Sequence, residues 1–350
     1  MQRNSISKKY QAIIDAMDEA VLLLNRKQRI VLCNKRASIL LAWAEELPGA
    51  DLKKIIASQE LSKAVSLVFE GKEQERLTIA VYEGAAGDEA FIKGHGRERT
   101  FRMKISLIEE KLAAISISDI TKIERLSLVR QDFVSNVSHE LKTPLTAITG
   151  FAETLTDETL SLEEIKGFAR IILKNSSHMQ RIISDLLLLT SLDRAEISYS
   201  MTTTTDTRIF QEVRSYTQHK ANAKETEVLY SSHDKTVTCN ESLIVQAVAN
   251  LVLNAIAYSA ERSKVEVSSR VRNGMMEFSV SDEGVGISKE DIPRIFERFY
   301  RVDKARSRES GGTGLGLSIV RHIAIIHSGT IKVTSKPGEG SVFTLSIPLS

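Results

Sequence analysis

The 350-residue sequence has only two cysteines, Cys33 and Cys239, far apart in the chain. That excludes a disulfide framework and a zinc site built on cysteine. Net charge is also scarce. Lys+Arg 47 against Asp+Glu 45 leaves a formal +2, whereas dedicated nucleic-acid binders carry a clear basic excess, so no direct nucleic-acid partner is expected. No n-region and h-region leader opens the sequence, and no uninterrupted apolar run approaches the ~18 residues that cross a bilayer. Such runs, Ala20–Leu24 and Leu186–Leu189 among them, are short. Hydrophobic residues make up 42% and charged residues 26%, ordinary globular values that leave no room for extended disorder. These absences point to a soluble, cytoplasmic chain of two or three domains without a transmembrane segment. Its input would arrive from the cytoplasm or from a membrane-associated partner.

Glycine, by contrast, is concentrated. Ten of the 18 glycines lie between Gly274 and Gly340, and they include the run GGTGLG. Clustered glycine marks backbone that turns sharply or approaches a ligand closely.

Three textures follow one another. Residues 8–118 read as mixed α/β: a short helix over Tyr10–Met17, then two apolar strands joined by a polar turn at Asn25-Arg26-Lys27-Gln28, a hairpin signal. Helical stretches near Ala37–Leu41 and Ser58–Phe69 follow, then strands at Arg76–Tyr82, Arg99–Ile108 and Lys111–Ser118. Residues 121–195 read as two long helices with a turn near Thr156–Leu160. One helix has an apolar stripe of Phe133, Val137, Leu141, Leu145 and Ile148, the other of Ile165, Phe168, Ile172, Met179, Ile182, Leu186 and Leu189. Nothing nearby in sequence covers these stripes, and pairing with a second copy would give a four-helix bundle, so a homodimer is expected. Residues 200–350 are α/β again, with strands at Lys264–Arg270, Met275–Ser281, Thr330–Ser335 and Ser341–Ile347, and helices at Glu241–Tyr258 and Leu315–His327. The Thr202–Thr205 tract reads as a linker or loop.

His139 lies in SHELKTPLTAITG. At about 100° per residue it points roughly 200° away from Val137 and Leu141, so it sits on the polar face. Thr143 shares that face one turn on, and Glu140 flanks it. An exposed helical histidine is often only solvated. It is also what a phosphoryl acceptor requires, with one ring nitrogen free to attack and a carboxylate to orient the ring and take its proton. Pro144 removes one backbone bond, a place where the helix can kink.

The stretch DFVSNVSHELKTPLTAITG resembles the phosphoacceptor box of sensor histidine kinases. Downstream, NLVLNAIAYS resembles that family's asparagine box and SDEGVGIS its first glycine box. IFERFYRVDKA then resembles its phenylalanine box and GGTGLGLSIV its second glycine box. Each glycine motif alone is weak; the five in this order are specific. The wording is similar to the phosphate-regulon sensor-kinase type. The entry segment DAMDEAVLLLNRKQRIVLCNKRA and the exit ISISDITKIERL resemble a PAS sensor domain. The resemblance implies a multidomain α+β chain. A PAS-like α/β domain would precede an antiparallel two-helix hairpin that dimerises, and a GHKL-type α/β sandwich would bind ATP.

It also implies roles. His139 would be the phosphoacceptor, Glu140 the base, and Thr143 the residue that positions water when the kinase dephosphorylates its cognate response regulator. Asn250 and Asn254, at i and i+4, would offer amide oxygens, hard ligands suited to Mg²⁺, with Asn254 the stronger candidate. Helix capping or a core hydrogen bond is the plain alternative for that pair. Asp282, before the turn of Gly284 and Gly286, could accept from the exocyclic amine of adenine. Tyr258 could pack on the adenine ring or simply belong to the core. Gly312, Thr313, Gly314, Leu315 and Gly316 would open a helix whose N–H groups face phosphate, although no Gly-Lys-Ser/Thr of the Walker type follows. Arg301, Lys304, Arg306 and Arg308 read as cations of a lid. Ala257 stands where the family often has a basic residue, and Ser328 where glycine is common. His322 and His327 fall in the last turns of a helix, where a partial positive charge suits the dipole, and read as structural.

The function implied is ATP-dependent autophosphorylation, with Mg²⁺ as cofactor and transfer to an aspartate of a response regulator. Two rivals are a GHKL-type ATPase, which would lack the SHELKTP hairpin, and a non-catalytic scaffold. The PAS-like segment lacks histidine over Ser58–Phe69, which argues against haem. Cys33 precedes Asn34, unlike the Asn-x-Cys context of flavin-photoreactive domains. Ligand binding and a purely protein-interacting or dimerising role both remain open for it.

Overall fold

The apolar run after Glu19 becomes strand β1 (Ala20–Asn25), buried along nearly its whole length. The structure is a computed structural model that describes residues 11–42, 47–82, 98–157, 159–193, 199–302 and 312–349. The fold divides into two compact units, Met1–Asp132 and Phe133–Ser350.

In the first unit the chain enters as helix over 11–15; Tyr10, the expected first residue of that helix, lies outside the described residues. β1 pairs with β2 (Ile30–Cys33) through the expected turn. The Asn25 side chain accepts from the N–H groups of Lys27 and Arg29, and Gln28 takes a left-handed φ of 56°. Three helices follow, α1 (Lys35–Leu40), α2 (Leu52–Ile55) and α3 (Gln59–Phe69), then β3 (Gln74–Tyr82), β4 (Glu98–Glu109) and β5 (Leu112–Asp119). The antiparallel sheet runs β2-β1-β5-β4-β3.

Strand alternation sends Leu22, Leu24, Phe101, Met103, Ile105, Ile115 and Ile117 to one face, where the helices cover them. Val21 and Leu23 turn to the other face and meet Ile14. Buried Asn34 joins both layers: its oxygen accepts from Val21 and Ala37, and its amide donates to the Ile14 and Glu19 carbonyls. All four of its hydrogen-bonding positions are used. At the exit, Asp119 accepts from the Thr121 N–H, and the Thr121 hydroxyl accepts from Thr100 N–H. Burial pushes the Asp119 carboxyl up, but its Thr121 and Arg99 donors hold it below the usual range.

Helix α4 (Thr121–Thr154) continues unbroken through Pro144. Pro144 is buried and Leu145 is 52% exposed, so proline takes the covered position that the apolar stripe assigned to leucine. Helix α5 (Leu162–Leu192) starts at a capping box in which Ser161 and Glu164 satisfy each other's orphan donors. Phe151 stacks on Phe168 at 5.4 Å, tying the two helices beside their turn.

The remainder of the second unit is a sandwich. Its sheet runs β11-β12-β10-β9-β7, antiparallel except for the β7–β9 pair. The strands are β7 (Glu227–Ser231), β9 (Lys264–Arg272), β10 (Met275–Asp282), β11 (Thr330–Lys336) and β12 (Gly340–Pro348). Helices α6 (Asp206–Ala223), α7 (Glu241–Tyr258) and α8 (Gly316–Ile326) pack on it, and Leu189 and Leu192 of α5 join the same core. Helix α7, at a mean hydropathy of 1.3, is long and apolar enough by composition to cross a membrane, and half of it is buried in the unit's core. Such a segment escapes a search for uninterrupted runs because its polar residues are spread singly.

Thr202–Thr205 is strand β6, paired with β8 (Thr236–Cys239), and not the linker or loop that its composition suggested. Four β-branched residues favour extended backbone once a partner strand exists. Ser328 ends α8 at a left-handed φ of 51°, with the Gly329 N–H closing back on Ala324. His327 is neutral, contrary to the partial positive charge expected there. Its Nδ1 faces the Ile323 carbonyl at 2.8 Å and its Nε2 accepts from the Asn240 N–H at 3.0 Å, which only the Nδ1–H tautomer satisfies. Burial pushes its pKa down in the same sense.

Asp206 locks helix α6 to the sheet. It is fully buried and accepts from the N–H groups of Thr207, Lys235 and His233 and from the Ser269 hydroxyl. Burial alone would raise its pKa, but these donors hold it below the usual carboxylate value. A depressed folded-state pKa contributes stability above the unfolded value that is lost as pH falls through the folded one. Asp206→Asn should therefore cost about 2–3 kcal/mol at neutral pH in urea unfolding of the full chain. The deficit should shrink as both proteins are acidified below the ordinary carboxylate range.

Candidate active site

A cavity of about 830 Å³ opens between α7, the Gly312–Gly316 segment and α5. Helix periodicity puts Asn250 and Asn254 on the same side of α7, and both line it. The Asn250 amide nitrogen is buried without a hydrogen-bond partner. The capping alternative for this pair falls away, because the N-cap of α7 is Asn240, whose side chain accepts from Leu243 N–H. A buried amide left unpaired beside a cavity fits a ligand-facing role. Among the described residues no group of three or more His, Cys, Asp or Glu could cage a metal. The amide oxygens of Asn250 and Asn254 are hard donors of the kind that suit a Mg²⁺ shared with phosphate.

Tyr258 also lines the cavity. Asp282, Gly284 and Gly286 are not among its lining residues, but Gly284 lies directly behind Tyr258. A Cβ on Gly284 would stand 2.8 Å from the Tyr258 carbonyl oxygen and 2.7 Å from Asp282 Oδ1. Only glycine allows that approach. Asp282 accepts from the Gly284 N–H at 2.8 Å. Burial raises its pKa, and the Gly284 and Ser341 N–H groups only partly oppose this.

The second glycine run is shaped by the residues before it. Gly314 has a φ of +71°, and a Cβ there would lie 2.9 Å from Phe299 Cα. Phe299 donates its N–H to the Gly314 carbonyl from its own left-handed φ of 63°. Helix α8 begins at Gly316 with no side-chain cap, so its first N–H groups have no side-chain acceptor. Gly312, Thr313, Gly314 and Gly316 line the cavity, while Leu315 turns into the core. Lys304, Arg306 and Arg308 lie outside the described residues.

His139 is exposed on α4, and Thr143 bonds back to its carbonyl at 3.3 Å from the same face. Glu140 is bound to the catalytic lobe: its Oε2 accepts from Arg301 at 3.0 Å, and the Arg301 side chain is only 6% exposed. Arg301 lines the cavity and also donates to the Gly312 carbonyl. Further contacts join α4 and α5 to the sandwich. Thr313 donates to Asp185 at 2.8 Å. Arg298 contacts both Asp193 oxygens and lies over the Phe133 ring, and Phe133 meets Phe299 at 5.8 Å. His322 reaches Asp193 at 3.0 Å. Burial raises the Asp185 pKa, opposed by Thr313 and Arg181. Asp185, Asp193 and Arg298 carry no sequence signal for these roles, because their partners lie more than a hundred residues away.

Comparison with known proteins agrees along the chain. Residues 8–75 match the PAS domain family. Residues 129–195 match the His Kinase A (phospho-acceptor) domain, and residues 239–350 the Histidine kinase-, DNA gyrase B-, and HSP90-like ATPase family. The sensor-like histidine kinase SenX3 of Mycobacterium tuberculosis is 35% identical over 345 residues, covering 98% of this chain and 81% of that protein. SenX3 of Mycolicibacterium smegmatis is 42% identical over 71% of this chain, which spans 65% of its length. The phosphate regulon sensor protein PhoR of Pseudomonas aeruginosa is 32% identical over 69% of this chain and 55% of its own. Among solved structures, histidine kinase ThkA in complex with response regulator protein TrrA has a TM-score of 0.54. It is 24% identical and covers 97% of this chain and 98% of its own.

If Asp282 reads nucleotide as a carboxylate, affinity for ATP should fall on acidification at a pH above the ordinary carboxylate range, because its raised pKa protonates it early. A fluorescent-nucleotide titration across pH tests this, with Asp282→Asn expected to bind about tenfold more weakly and without that pH dependence.

Proposed function

Because this chain belongs to the sensor histidine kinases of two-component systems, we propose that the α7 cavity presents the γ-phosphoryl of ATP to His139. The enzyme is a protein histidine kinase that autophosphorylates and acts on a response regulator. The observation that carries the assignment of residues is Arg301, which lines the nucleotide cavity and holds the carboxylate next to His139.

In this reading the base end of ATP lies against Tyr258 and toward the Asp282 turn behind it, and the phosphates lie toward Gly312–Gly316 and the N-terminus of α8. There the helix dipole and N–H groups favour the anion. Asn254 and Asn250 would hold Mg²⁺, which supplies neutralisation of the triphosphate charge. A His139 ring nitrogen bonds to the γ-phosphorus as the bond to the β,γ-bridging oxygen breaks and ADP leaves, Glu140 takes the ring proton, and in-line positioning accounts for most of the rate. Glu140 must first leave Arg301, and the Thr313 hydroxyl must leave Asp185, so the contacts seen here hold the catalytic groups apart from their task.

The phosphoryl group then passes to a receiver aspartate, as suits a relative solved with its response regulator. Thr143, beside His139, positions water for the reverse removal of phosphate from that regulator. The hairpin pairs with a second copy. Val134, Leu145, Leu173, Ile183 and Leu187 are 45–67% exposed in one chain, and a four-helix bundle would bury them. ATP and the receiver are cytoplasmic, and the reading sets these modules there. Residues 8–118 supply the input, 121–195 the phosphoacceptor and 200–350 the catalyst.

Incubation with γ-labelled ATP should give protein-bound label that is lost in acid and survives alkali. His139→Ala should abolish it, and Glu140→Gln should slow it by about 10²-fold. Nucleotide turnover without protein label would favour a plain ATPase. Thr143→Ala should keep autophosphorylation and lose dephosphorylation of the regulator.

A further inference from the structure

The last carbonyls of an α-helix have no partner within it. Those of α7 are buried at the cavity wall, and α7 has no basic residue in its last turn to meet them. Its end is closed from outside. Lys224, the C-cap residue of α6, donates to the Ile256, Ala257 and Ser259 carbonyls at 2.8, 2.8 and 2.7 Å. Three carbonyls match the three N–H donors of an ammonium. The Ala255 carbonyl takes the Ser259 N–H and hydroxyl, and the Tyr258 carbonyl takes the Val285 N–H. Every terminal carbonyl from 255 to 259 therefore has a donor, and the strongest donor is the one cation.

Lys224 is itself anchored, since its own carbonyl accepts from the Arg262 N–H. It spans the Ser259–Arg262 turn, and residues 256–261 line the cavity with it. Within that turn the Tyr258 carbonyl abuts Gly284, whose N–H binds Asp282. The ammonium thus sets where the end of α7 stands relative to the Asp282 turn.

We propose that Lys224 is a positioning residue for the base end of the nucleotide, acting through the α7 terminus without touching phosphate. The proposal rests on the nucleotide reading of this cavity. Opposite charge at a helix C-terminus is favourable and strongest when partly buried, and an ammonium pinned by three carbonyls has no donor left for a phosphate.

The test compares binding of ATP, ADP and inorganic tripolyphosphate to the full chain with the autophosphorylation rate at saturating ATP. Lys224→Met should weaken ATP and ADP by the same factor, about tenfold. It should leave inhibition by tripolyphosphate unchanged and the saturated rate within about twofold of wild type. Lys224→Arg, which can still donate to the carbonyls, should recover most of the affinity. Unchanged ATP affinity in Lys224→Met would overturn the proposal. So would a loss larger for ATP than for ADP with weakened tripolyphosphate inhibition, which would make Lys224 a phosphate ligand. Should Lys224→Met not fold, Lys224→Gln, with two donors in place of three, carries the same comparison. A wild-type chain that bound no ATP would defeat the nucleotide reading and this refinement with it, whereas the variant outcomes above overturn the refinement alone.

Discussion

Helix α7 has to be buried along most of its surface and open along one strip, and the catalytic unit is arranged around that requirement. Its aliphatic residues, Leu243, Ile244, Val248, Leu251, Val252 and Ile256 among them, sit in the sandwich core. Burial of such side chains is worth about 1.5–3 kcal/mol each, which holds the helix firmly enough to tolerate two asparagines on its open strip. The cost falls at the ends, where backbone groups are buried too. Asn240 closes the start and is itself held by neutral His327; Lys224 closes the finish. The cavity is what remains between a rigid helix, a turn that only glycine can form, and the uncapped start of α8.

A second constraint joins this unit to the hairpin. The junction has an apolar part, where Leu189 and Leu192 enter the sandwich core and Phe133 meets Phe299, and a polar part: Arg301 with Glu140, Thr313 with Asp185, and Arg298 and His322 with Asp193. Polar contacts of this kind are individually modest and can be exchanged for water or for another partner.

The sensor-like unit follows a different rule. Its helices and sheet share one aliphatic core that fills the space between them, and its polar precision is confined to two places. Asn34 joins the layers, and Asp119 with Thr121 fixes where β5 becomes α4.

Much of the element pattern was legible beforehand, because periodicity and capping are local. Helix α7 matched its expected bounds, and the strands from Arg76 onward fell within a few residues of theirs. Helix α6 and strands β6, β7 and β8 went unread, since α6 buries Asp206 and Thr217 along with its apolar residues and the Thr202–Thr205 strand has no hydrophobic alternation. The exposed face of His139, the paired asparagines and the glycine turns were all visible as spacing along one segment. The sequence by itself determined which side chains share a helix face and where the backbone turns on glycine, since helical pitch and glycine's missing side chain act within a few residues. Only the tertiary structure decided what holds them. The partners of Glu140, Thr313 and the end of α7 come from segments 161, 128 and 32 residues away, and no local rule of chain geometry reaches that far.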